Sequence, residues 1–209
     1  MGVSVINIIS QILVGLSRTT ILFIVASGMS LILGVLRIPN VAHGSLYMIG
    51  AYLTYTLISF IGETSYAFWM AIFLAPTFVA ILGFLLERGF FRYLYESEHL
   101  MLLLLTFAFA LILGDLVKLT WGTEYRSLTT PAFLQGSAEF YGLPLPYYNI
   151  FLLVVGPIIA VLLWFLITKT KFGKIARAAA VDREMVSAVG INVNLVYSLT
   201  FILGCFLAG

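Results

Sequence analysis

The sequence predicts an all-α fold: a polytopic transmembrane helical bundle of about six spans, with a broken helix near residues 37–45 and a short helix on the cytoplasmic surface. Three observations carry this. The 209 residues are 62% hydrophobic and 10% charged, with a mean hydropathy of +1.10, whereas soluble domains are roughly a quarter charged. The apolar residues form continuous runs rather than alternating, which selects helices over a barrel. The basic residues gather beside those runs, as membrane topology demands, so a net charge of +2 carries no argument for nucleic acid.

In chain order, Val3–Leu16 is apolar but only about 14 residues long, too short to cross about 30 Å of hydrocarbon as a helix. It is expected at the interface or against the bundle. Span 1 is expected over Thr19–Leu36, ended by Arg37 and Pro39, and span 2 over Gly44–Ile61, ended by Gly62 and Glu63. Span 3 covers Tyr66–Leu86 with Pro76 inside, and the loop Glu87–His99 follows, its Glu87, Glu96 and Glu98 read as solvated. Span 4 covers Leu100–Trp121. A polar connection, Gly122–Tyr148, leads to span 5 at Asn149–Thr168, which holds Gly156–Pro157. Span 6 starts near Val193 and is still apolar at Gly209, so residues 1–209 read as a single transmembrane domain truncated at its C-terminus. No Lys or Arg precedes Arg18, which argues against a secretory signal.

The segment Lys169–Asn194 orients the bundle. It holds Lys169, Lys171, Lys174, Arg177 and Arg183, five of eleven basic residues, and cationic loops beside spans stay cytoplasmic. Counting back from it places Arg37, Arg88 and Arg92 inside as well, and leaves Arg18, Lys118 and Arg126 at the outer side. Within it, Ile175, Ala178, Val181, Met185 and Ala188 recur at three- and four-residue steps, one face of an amphipathic helix. Lys174, Arg177, Arg183 and Glu184 lie mostly off that stripe, and Gly190 is placed to be the residue just past the helix end. Such a helix either lies in the headgroup layer or docks in a partner's groove.

The stretch Gly34–Tyr52, GVLRIPNVAHGSLYMIGAY, puts Arg37, Pro39, Asn40, His43, Gly44 and Ser45 between two apolar runs. Pro39 disfavours helix at Ile38 and lacks an N–H. It reads either as a tight hairpin at the inner surface or as a break dipping into the bilayer, where irregular backbone is tolerated only beside protein or a water-filled cavity. Asp115 and Lys118, three apart near the outer end of span 4, read as a structural ion pair. Trp121, Tyr125, Tyr141, Tyr147 and Tyr148 fit an outer aromatic belt.

This stretch resembles the signature of LivH-type permeases, the membrane subunits of ATP-binding-cassette importers of branched-chain amino acids. Gly34, Val35, Leu36, Asn40, Ala42, His43, Gly44, Leu46, Tyr47, Met48, Gly50, Ala51 and Tyr52 carry the match, with Val41 where Phe is usual. A second resemblance covers GKIARAAAVDREMVSAVGINV, through Gly173, Arg177, Ala178, Ala180, Asp182, Ala188, Gly190, Ile191 and Val193. It implies that Lys174–Val189 is a coupling helix pressed by cytoplasmic ATP-binding subunits, with Lys174, Arg177, Asp182, Arg183, Glu184 and Gly190 as its marked residues. It also implies a second permease subunit, an extracytoplasmic substrate-binding protein, and residence in a bacterial inner membrane.

The expected function is therefore translocation of aliphatic amino acids, with ATP hydrolysed by a separate partner and no enzymatic chemistry in this chain. The chain lacks a G-x-x-x-x-G-K-[ST] phosphate loop, and two histidines with one cysteine make no zinc set. No metal or cofactor is expected. Asn40, His43, Gly44, Ser45 and Tyr47 are candidate residues of the substrate pathway. Permeases for urea, short-chain amides or sugars share the architecture and remain the alternative. A stand-alone ion-coupled carrier is the other class, weakened because the spans offer only Asp115 as a carboxylate.

Overall fold

A computed structural model describes residues 5–62, 64–95, 97–140 and 143–209. Five helices are long and apolar enough to cross a membrane: α1 (Val5–Leu36), α2 (His43–Ile61), α3 (Ser65–Gly89), α4 (His99–Trp121) and α5 (Tyr147–Lys169). The basic segment forms α6 (Lys171–Val181) and α7 (Arg183–Ala188), and the shorter apolar α8 (Val193–Ala208) follows. The all-α expectation has one small departure. Two strands, β1 (Ser137–Phe140) and β2 (Leu143–Pro146), pair antiparallel in the outer connection, with Ser137 opposite Pro146. Glu63, Glu96 and Tyr141, named above as loop or belt residues, lie outside the described residues.

Of Val3–Leu16, expected at the interface or against the bundle, the described part is not separate from span 1. From Val5 onward it is continuous with span 1 in α1, whose 32 residues extend roughly 48 Å. The polar run Ser17–Thr20 does not break the helix because its hydroxyls fold back onto it. Ser17 donates to the Val14 carbonyl at 2.8 Å, Thr19 to Gly15 at 2.9 Å and Thr20 to Leu16 at 3.3 Å. Such back-bonding satisfies a hydroxyl inside an apolar environment at little cost to the helix.

The core forms around α8, which packs against α1, α3 and α2. Small residues make the approach possible, as they do where lipid supplies no hydrophobic drive between helices. A Cβ placed on Gly28 of α1 would lie 2.6 Å from the Gly204 carbonyl oxygen of α8. One on Gly83 of α3 would collide with Cys205, and one on Gly204 would sit 2.5 Å from Ile32. On the other side of α1, Gly156 of α5 gives room to Thr20, so the Gly156–Pro157 pair serves helix packing.

Glu87 corrects the sequence reading. It is not a solvated loop charge: its residue exposure is 0%. Ala75, Val79, Gly83 and Glu87 lie at four-residue steps on the face of α3 turned to α8. The carboxylate accepts from Tyr95 Oη at 2.8 Å and from Ser198 Oγ of α8 at 2.7 Å. Burial, and then the charge of Glu87, hold the Tyr95 phenol well above its usual pKa, so it stays a donor. Tyr95 also meets the Tyr197 ring edge-on at 5.4 Å. One carboxylate thus joins α3, the loop after it and α8 at the inner end of the bundle.

Two outcomes follow for the assembled complex in detergent. Gly28→Ala and Gly204→Ala lower its thermal midpoint, because backbone must move, while Gly15→Ala, with nothing within 4 Å, leaves it unchanged or higher. Equal midpoints for all three would contradict the packing. Glu87→Ala strands two hydroxyls at about 1–3 kcal/mol each and lowers the midpoint more than Glu87→Gln; a midpoint equal to wild type would show that the carboxylate holds nothing together.

Candidate functional site

The stretch between α1 and α2 holds one site. α1 ends with Arg37 in the left-handed region, φ 58°, its N–H donating to the Leu33 carbonyl at 2.9 Å. This is the single-bond left-handed helix ending, ordinarily given to glycine. Pro39 then keeps the chain out of helix until Ala42. The new helix does not begin level with the end of the old one. His43, the first residue of α2, bonds through Nε2 to the Val25 carbonyl at 3.0 Å. Val25 lies eleven residues before Leu36, roughly 16 Å back along α1. Pro39's carbonyl lies 3.4 Å from the Thr106 hydroxyl of α4, whose one proton it shares with the Leu103 carbonyl at 2.9 Å, and Ser45 donates to the Ala110 carbonyl at 3.0 Å. Thr106 and Ala110 stand about 10 Å and 16 Å from His99 along α4. Of the two readings left open above, the turn follows the one that runs back into the bundle.

Its polar side chains differ in environment. Asn40 is 1% exposed and His43 3%. Neither amide atom of Asn40 has a hydrogen-bond partner among the described residues, and neither has Nδ1 of His43. Buried polar groups without partners are rare and need a reason. Ser45 is half-buried and engaged with α4, whereas Gly44 and Tyr47 are exposed. The five residues named together from the sequence thus split into a buried pair, a bridge and two that face outward.

The second site is the basic segment after α5. The single helix over Lys174–Val189 is in fact two. Asp182 leaves the helical region, φ −145°, and its carboxylate accepts the Met185 N–H at 2.9 Å, capping α7. The residues D-R-E-M hold the signal that was missed: an aspartate ahead of a glutamate is an N-terminal cap. Gly190, φ 87°, closes α7: its N–H donates to Ser187 and that of Ile191 to Val186, the Schellman pattern.

The residues that pack on the bundle are not those of the apolar stripe, which was expected against headgroups or a partner. Gly173, Ala176, Ala179 and Val186 are the buried residues of α6 and α7. Of the expected stripe, Ile175 alone is half-buried. Val181, Met185 and Val189 are 81%, 68% and 74% exposed, and Ala178 and Ala188 are exposed too. Small residues win the inner face because α6 lies hard against the end of α5: a Cβ on Gly173 would run into the Ile167 and Leu166 carbonyls. The larger apolar side chains are left outward, bordered by exposed Lys174, Arg177, Asp182 and Glu184.

α7 is tied to α8. Arg183 donates to Asn194 Oδ1 at 3.4 Å and lies over the Tyr197 ring at 5.8 Å. Asn192 caps α8 by accepting from the Leu195 N–H at 3.2 Å. At the outer end of α4, Asp115 and Lys118 form an exposed ion pair at 2.9 Å, of the kind worth little to stability. The buried carboxylate is Glu87 instead, so Asp115 is not the only acid in the spans. Glu87 sits at the inner end of α3 with both oxygens engaged. Among the described residues no group of three His, Cys, Asp or Glu is placed to hold a metal.

The family described as the permease component of branched-chain amino acid transport systems matches residues 11–209. The high-affinity branched-chain amino acid transport system permease protein BraD of Pseudomonas aeruginosa is 29% identical over 208 residues, 96% of this chain and 68% of that protein. LivH of Escherichia coli K12, of the same description, is 26% identical over the same shares. A probable LivH of Methanocaldococcus jannaschii is 25% identical over 199 residues, 91% of this chain and 61% of that protein. No solved structure matches the chain. With 199 of its 209 residues covered by the family match, the chain belongs to the branched-chain amino acid transport permease family.

Proposed function

We propose that this chain is the membrane-spanning permease subunit of an ATP-driven importer of branched-chain amino acids in a bacterial inner membrane. Its partners are a second permease subunit, two cytoplasmic ATP-binding subunits and an extracytoplasmic binding protein. The observation that carries the reading is the outward apolar face of α6 and α7. Val181, Met185 and Val189 stand in the segment that the distribution of basic residues places inside. Exposed apolar side chains rimmed by charges suit a groove on a soluble partner.

The mechanics follow from what the segment is tied to. Pressure on α7 reaches α8 through Gly190–Asn192 and through Arg183 on Asn194 and Tyr197. α8 touches α1, α2 and α3, so its displacement shifts the walls around the turn after α1. Nucleotide-driven closure of the ATPases would bias these packed helices between two arrangements. Asn40 and His43 then offer a buried amide and a ring nitrogen to a substrate's polar head, and the apolar surroundings suit an aliphatic side chain. Ser45 and Gly44 shape the turn, and Tyr47 lies one helical step further out.

Two experiments on the complete complex test this. Met185→Asp and Val181→Asp each reduce co-purification of the ATPase and uptake of L-leucine by about tenfold or more, the scale of a lost interface anchor. Retention of both would contradict docking at this face. Asn40→Leu removes an amide with no partner among the described residues, so the thermal midpoint stays level or rises while leucine uptake falls by about tenfold. Unchanged uptake would remove Asn40 from the path.

A further inference from the structure

Among the described residues, α1, α2, α5 and the connection after α4 border an open cavity of about 560 Å³, a size typical of small-molecule sites. Tyr47, Tyr52, Tyr55, Tyr125, Tyr148 and Arg126 line it, with apolar contributions from Ile21 and Ala51. No carboxylate is among its lining residues, so Arg126 supplies its only full charge.

Arg126 sits on an exposed connection, yet its guanidinium is held. Nη1 donates to Tyr55 Oη at 3.2 Å and Nη2 to the Trp121 carbonyl at 3.3 Å, with the guanidinium carbon 5.5 Å from the Tyr55 ring centre. Trp121 is fixed in turn: its Nε1 donates to Thr56 Oγ1 at 2.7 Å, and its ring lies 5.5 Å from that of Tyr52. A guanidinium has five N–H donors, and these two bonds leave three. Glu124 is nearby in sequence but does not line the cavity, and Arg126 makes no ion pair among the described residues.

Along α2, Tyr47, Ala51 and Tyr55 recur every four residues and line the cavity. Tyr47 is one helical turn from His43, whose Nδ1 has no partner among the described residues.

We infer that this cavity is the receiving site for a free amino acid arriving from outside. Arg126 takes the carboxylate, tyrosine faces and hydroxyls take the ammonium, and the side chain lies against Ile21 and Ala51. The concave aromatic wall and the single unpaired cation fit a small zwitterion. They fit an acidic side chain of a docking protein less well, since a docking contact needs no chamber behind it. The inference rests on the import reading above and deepens it.

The test uses the complete transporter in proteoliposomes, with radiolabelled L-leucine and its binding protein supplied at the outer face. Arg126→Gln lowers leucine uptake by about tenfold or more, the worth of a charged hydrogen-bonded contact. ATPase stimulation by leucine-loaded binding protein persists, half-saturating at the wild-type concentration. Arg126→Cys, labelled after assembly, regains uptake with an aminoethyl thiosulfonate and not with the sulfonatoethyl reagent. Lys118→Gln, an outer cation outside the cavity, leaves uptake unchanged. Wild-type uptake by Arg126→Gln overturns the inference. A raised half-saturating concentration of binding protein overturns it in favour of a docking contact, and equal effects of the two reagents overturn it in favour of a structural role. Absence of leucine uptake by the wild-type complex contradicts the import reading itself and the inference with it.

Discussion

Inside hydrocarbon a backbone polar group has no water to turn to, and leaving it unpaired costs several kcal/mol. The chain meets this constraint most severely between Leu36 and His43, where it leaves the helix. The solution is local and tertiary at once. Arg37 adopts a left-handed backbone so that its N–H closes the end of α1, and the His43 N–H returns to the Asn40 carbonyl. Thr106 and the His43 ring then bond the turn to α4 and to the flank of α1. Only because neighbouring helices supply these groups does the turn sit beside the middle of α1, and only there do Asn40 and His43 become buried with unused hydrogen-bonding atoms.

The same economy governs α8. Toward its C-terminal end it meets α1 and α3 where Gly204 and Cys205 approach Gly28 and Gly83, while Tyr197 and Phe201 pack larger rings nearer its start. Contacts of this kind leave little slack, so a displacement of α8 reaches α1 and α3 directly. Glu87 adds a polar tie at the inner end, where the Tyr95 and Ser198 hydroxyls converge on one carboxylate. The Tyr95 and Tyr197 rings meet beside Arg183. The cytoplasmic segment is therefore joined to the bundle by geometry that carries force, although it contributes few large apolar side chains to the core.

The spans were legible because long apolar runs admit few alternatives. The turn after α1 was legible as an anomaly: Arg37, Pro39 and Asn40 interrupt a run that would otherwise continue. Its depth was not, since that depends on Val25, Thr106 and Ala110, far away in sequence. The continuity of Val5–Leu16 with span 1 was not legible because Ser17–Thr20 looked like a boundary. Hydroxyls that bond back to carbonyls one turn earlier leave no such boundary. The apolar stripe through Val181 and Met185 was legible as a pattern; the residues that pack on the bundle, Gly173, Ala176 and Ala179, were not, because they are small and the close approach at Gly173 is to the end of α5. Glu87 looked solvated because a charge at the end of a span usually is, and its partner Ser198 lies 111 residues on.

The clamp at Arg126 is another case of residues that sequence spacing does not bring together: Tyr55, Thr56 and Trp121 meet it across two helices. The account as a whole depends on the turn at residues 37–42 lying within the bilayer. A cryo-electron microscopy map of the assembled transporter in lipid nanodiscs measures this directly. The account places the Pro39 carbonyl beside Thr106, roughly 10 Å from the level of His99 toward the membrane centre. A turn found level with His99 and Lys171 at the inner headgroups would contradict it.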